Sequence, residues 1–120
     1  MRYGFLVLIA LAASPALAMP ATTFLTKADA LKAKGPMALF SSDLGVLKGE
    51  FNHALAELKS ERLAREAQHL PRRTCPPAKS SMNSDELMAS MHRIPAAELA
   101  SMQVKDAILQ VLAQKYPCPR

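Results

Sequence analysis

The stretch SSDLGVLKGEFNHALAELKSERLAREAQH, residues 41–69, decides the fold class. Leu44, Leu47, Phe51, Leu55 and Leu58 recur at steps of three and four, which puts them on one face of an α-helix. Ser41, Ser42 and Asp43 stand ahead of the stripe as candidate caps. The spacing predicts a long helix reaching His69, with Glu61 and Arg65 one turn apart as a supporting pair and a polar far end, KSERLAREAQH, running beyond the core. Gly45 and Gly49, also one turn apart, would either admit another helix closely or weaken the first turns.

Toward the amino end the same period continues. Phe24, Ala28 and Leu31 mark a helix over about Thr22 to Lys34, with Thr22 or Thr23 as its cap and Gly35-Pro36 as its stop. A short apolar segment, PMALF, joins the two helices. Toward the carboxyl end, Leu70 to Met82 is a linker in which Pro71, Pro76 and Pro77 forbid regular helix. A third helix opens at Asn83, with Glu86 placed to close a capping box and Met82 placed to staple onto Leu87, and it must end before Pro95. IPAAELAS reads as a short helix with proline in its first turn. Val104, Ala107, Ile108, Val111 and Leu112 line a last helix that stops at Tyr116-Pro117. No segment alternates apolar and polar residues as a strand would. The expected fold is all-α: a small bundle of four main helices with one or two short ones.

Residues 1–18 read as a secretory leader. Arg2 precedes an apolar run from Phe5 to Ala13, a breaker at Pro15, and Ala16-Leu17-Ala18 as the cleavage site. The run falls short of the roughly 20 apolar residues that a membrane span needs. Cleavage after Ala18 would leave residues 19–120 as a single helical domain, periplasmic or secreted, with no stable insertion in a membrane. Losing Arg2 lowers the Lys and Arg count from 15 to 14 against 10 acids, a net charge of +4. Those charges are scattered in sign along the chain, with Arg72-Arg73 the only adjacent basic pair, and the sequence has no Trp and little Tyr or Phe, which argues against a nucleic-acid partner.

Cys75 and Cys118 are the two cysteines, each boxed by prolines. An exported chain with one pair of thiols is expected to join them. Pro76, Pro77, Pro117 and Pro119 would keep both sulfurs outside helices. A redox pair usually takes a C-x-x-C spacing and a thiolate zinc site takes more ligands.

The three histidines, His53, His69 and His92, belong to no nucleophile or zinc motif. His53 reads as a helix-surface residue, and His69 as an imidazole at the negative end of a helix dipole. Glu57, Glu61 and Glu66 lie on the polar part of the long helix and present no carboxylate pair in a foreseeable cleft, so no general acid and base can be named and an enzyme is not expected. The one sharper candidate is MASMH. Met88 and His92 sit one turn apart with Met91 beside them, and thioethers with imidazole suit copper(I). The competing reading is methionine as core filler, and no cofactor is assigned.

Cys75-Pro76-Pro77, followed by the amphipathic KDAILQVLAQKYP at the carboxyl end, is similar to the cysteine-proline segment and final helix of the Tai family. The likeness covers about the last third of the chain. It implies an all-helical periplasmic immunity protein that binds and blocks a toxic cell-wall amidase delivered by type VI secretion. It carries over no inhibitory residue. The expected function is therefore a small exported binding protein with a protein partner, immunity being its most concrete form and a copper-binding Met/His helix face the alternative.

Overall fold

The computed structural model describes residues 19–79 and 81–119, so the leader reading concerns residues outside the described part. The described residues form five α-helices and one 3-10 helix: α1 Ala21–Ala33, the 3-10 helix Gly35–Phe40, α2 Ser42–Ala67, α3 Ser84–His92, α4 Ala96–Leu99 and α5 Val104–Lys115. Among the described residues the single β-bridge is Pro20 with Gln103. The all-α bundle expected from the period is the fold observed. No helix among the described residues is long and apolar enough to cross a membrane.

α5 organises the bundle. Val104, Ala107, Ile108 and Val111 are buried, and the helix touches α1, α2 and α3. Around it lie Phe24, Leu25 and Leu31 of α1, Leu47 and Ala54 of α2, Met91 of α3 and Leu99 of α4. The stripe of α2 turns slightly as it runs. Ala54 is buried while its neighbour Leu55 is 40% exposed, because the 3.6-residue turn carries a row of threes and fours across the helix face.

Two helix starts differ from expectation for tertiary reasons. α1 begins at Ala21, and Pro20 holds the cap position without a side-chain bond. The orphan amide of Ala21 instead donates to Met102 O at 2.9 Å, and Val104 N donates to Met19 O at 3.2 Å. Residues 19–21 thus pair with residues 102–104, and this pairing does the work expected of Thr22 or Thr23. At α3, Asn83 caps as expected, accepting from Glu86 N at 2.8 Å. The Glu86 carboxylate does not close the box, because Lys115 of α5 takes it. A reciprocal bond of that kind occurs at α5, where Gln103 N donates to Asp106 Oδ2 at 3.0 Å.

Helix ends follow backbone chemistry. Gly35 stops α1 with φ +56°, a left-handed conformation that costs glycine little. α2 ends in a Schellman motif: Leu70 N donates to Arg65 O at 2.9 Å and His69 N to Glu66 O at 3.0 Å. His69 fills the left-handed position with φ 57°, where glycine is usual. The linker then returns along the bundle. Cys75 N donates to Tyr116 O at 2.9 Å, and Cys75 and Cys118 stand at disulfide distance with their Cα atoms 4.9 Å apart.

Candidate functional site

An apolar cleft opens between α1, the 3-10 helix, α2, α3 and α5, with a volume of about 810 Å³. That lies within the roughly 300–1,000 Å³ typical of ligand sites. Its walls are Phe24, Ala28 and Leu31 from α1, Leu44, Leu47, Phe51 and Leu55 from α2, Leu87 and Met88 from α3, and Ile108 and Leu112 from α5. Each belongs to a stripe that also supplies the core, so the cleft is where the stripes diverge and fail to meet. At the rim, Lys32 Nζ stands 3.2 Å from Asp85 Oδ1, an exposed pair linking α1 to α3 across the opening. Lys48 adds a cation on the α2 side.

The 3-10 helix forms one lip, with Gly35 and Ala38 lining the cleft. The other side chains of that helix face outward: Met37 is 65%, Leu39 74% and Phe40 83% exposed. Three large apolar residues on one short turn are more than isolated surface apolars need explain. The segment PMALF was legible as apolar, but so short a segment cannot show by period which side chains point inward.

The MASMH residues meet different surroundings. Met91 is 0% exposed in the core, Met88 lines the cleft, and the exposed His92 places Nε2 3.0 Å from Asp29 Oδ1 of α1. The helix therefore directs the three side chains to core, cleft and surface instead of gathering them on one face. Among the described residues no group of three or more His, Cys, Asp or Glu is placed to hold a metal ion.

Glu57 and Glu61 do come together, which their i,i+4 spacing alone could have suggested. Both reach Lys105 of α5: Nζ is 2.6 Å from Glu61 Oε1 and 3.4 Å from Glu57 Oε2. Arg73 of the linker binds the other Glu61 oxygen at 3.0 Å, and His53 Nε2 lies 2.8 Å from Glu57 Oε1. The expected Glu61–Arg65 pair is replaced: Glu61 turns to Lys105 and Arg73, and Arg65 Nη2 donates to Pro71 O at 2.8 Å. Hydrogen bonds from Lys105 first, and from Arg73 second, hold the Glu61 carboxyl below its ordinary value, while the Glu61 bond raises Lys105. A carboxylate kept ionised between two cations is a tie between α2, α5 and the linker. It is poorly suited to donating a proton, which needs a carboxyl pushed upward. Lys115 is likewise raised, first by its bond to Glu86.

A smaller hollow of about 210 Å³ lies under the linker, against Leu58, Leu70 and Leu112. Arg65 and Arg73, two of the five cations that border it, bond to Pro71 O and Glu61 and so hold the linker to α2. No protein-family model, curated protein or solved structure matches the chain.

Proposed function

We propose that this chain is an exported binding protein whose partner is another protein, which lays an apolar helix or loop into the 810 Å³ cleft and covers the 3-10 helix beside it. The observation that carries this reading is the outward exposure of Met37, Leu39 and Phe40 on the lip of the cleft. A small apolar ligand held inside would leave those three side chains in water, whereas a protein surface covers cleft and lip together. Aromatic anchors beside a groove are the usual energetic centres of such contacts. The leader, the paired cysteines and the resemblance to the Tai family support immunity against a secreted cell-wall amidase as the specific form.

The test is survival. Cells producing the protein with its leader should withstand a periplasmic toxin encoded beside it, and cells producing a leaderless form should not. Leu39→Asp with Phe40→Asp should abolish protection while the helical circular dichroism stays unchanged, since both positions are exposed. Equal protection by the leaderless form, or full protection by the double variant, overturns the proposal.

A further inference from the structure

Glu50 stands half-buried on α2 with its carboxylate at the first of the described residues: Met19 N donates to Glu50 Oε1 at 2.9 Å. Among the described residues no Lys, Arg or His lies within ion-pair distance of this carboxylate, although Lys27, Lys32, Arg62, Arg73, Lys105 and Lys115 all reach acidic partners. Met19 is also held from its other side. Its carbonyl accepts from Val104 N at 3.2 Å, and two residues on, Ala21 N donates to Met102 O at 2.9 Å. The backbone nitrogen of residue 19 is therefore fixed in place by α5 and directed at a carboxylate that has no cation at ion-pair distance among the described residues.

We infer that Glu50 is the receptor for the amino terminus created when the leader is removed after Ala18; the inference rests on the leader reading. Hydrolysis of the Ala18–Met19 amide by a leader peptidase consumes one water, leaves the Ala18 carboxylate on the released peptide and frees an amine on Met19. That amine takes up a proton, because an α-amino group has a pKa of about 7.7–8.0. A single neutral N–H donor becomes an ammonium with three donors and a full charge, and the contact becomes a charge-assisted hydrogen bond. The site is specific for the position of the cut. Longer amino ends return nitrogen 19 to an amide, and a start at Pro20 removes it. Processing thus adds a full charge to the tie between Met19 and α2, which the precursor makes only through a neutral amide.

The experiment uses protein purified from the exporting cell and, in parallel, a chain released at Met19 by a tag-removing protease. Intact mass of the exported protein should correspond to a start at Met19. Unfolding by guanidinium is then compared for four forms: free Met19 with Glu50, free Met19 with Glu50→Gln, and the same two carrying Ser-Gly ahead of Met19. Glu50→Gln should raise the unfolding equilibrium constant about fivefold when the amine is free, the scale of a partly shielded ion pair, and much less when Ser-Gly precedes it. An equal effect in both backgrounds, or none in the free-amine form, overturns the receptor role. A different exported start overturns the leader reading, and the protease-released chain then still decides whether Glu50 recognises the amine.

Discussion

Replacing Cys75 and Cys118 together with serine removes a bond whose value can be worked from its place in the chain. The two residues are 43 apart in sequence and enclose α3, α4 and α5, leaving α1 and α2 outside the loop. In the chain-entropy treatment, closing a loop of that length lowers the entropy of the unfolded chain enough to stabilise the fold by about 4 kcal/mol. Residual structure in the unfolded state reduces the figure, so the expected loss is about 2–4 kcal/mol. Both side chains are only half-buried, so serine itself adds little penalty. For a domain of this size the loss corresponds to a fall in Tm of about 10–25 °C. The assay is guanidinium unfolding followed by the helical circular dichroism signal, with hydrogen exchange on the same samples. The midpoint should fall and the slope should rise slightly, since an unbridged unfolded chain exposes more surface. Exchange should quicken first at the amide of residue 75, whose bond to Tyr116 O the bridge secures, before it quickens in the buried part of α5. A loss under about 1 kcal/mol would refute the loop argument, as would exchange that quickens uniformly through α5.

Three further outcomes follow from particular side chains. Glu61 has its pKa lowered on folding, so its contribution is present above its ordinary value of 4.5 and disappears as pH falls through the lower folded value; Lys105 is raised, so its share persists below 10.5 and is lost as pH rises through the higher folded value. Glu61→Gln should remove the first dependence and weaken the second, which Glu57 keeps in part, at a cost below about 1 kcal/mol near neutrality, because the network is solvent-screened, and pH-dependent unfolding midpoints check this. At Gly45 and Gly49 an added Cβ meets nothing within 4 Å, which decides against close helix approach; each Gly→Ala change should therefore stabilise the protein by about 0.5–1 kcal/mol in thermal unfolding. Met91→Ala, at a side chain with 0% exposure, should cost about 2–5 kcal/mol, whereas Met88→Ala at the cleft wall should cost much less in the same denaturation series.

The sequence by itself determined most of the devices that rest on neighbours within about one helical turn, except where a distant partner competed: Pro20 caps α1 in place of Thr22 or Thr23, Lys115 takes the Glu86 carboxylate, and Lys105 and Arg73 take Glu61 from Arg65. The cap at Asn83, a cap among Ser41, Ser42 and Asp43, the stop at Gly35, the proline linker and the α5 stripe are local devices, and the structure shows each, with Ser41 as the residue that caps α2. The pairing of the cysteines was legible too, since a chain with two cysteines offers one internal pairing. Tertiary structure alone decided the rest. Lys105 meets Glu61 across 44 positions and Met19 meets Glu50 across 31, and no periodicity carries information over such distances. It also separated equivalent residues: Met88 and Met91 look alike in sequence, yet a three-residue step turns one toward the cleft and the other into the core. The cleft has the same origin. Apolar stripes state that faces will be buried, but how completely they close depends on the angles at which whole helices cross, and those are set by side-chain packing between segments far apart in the chain.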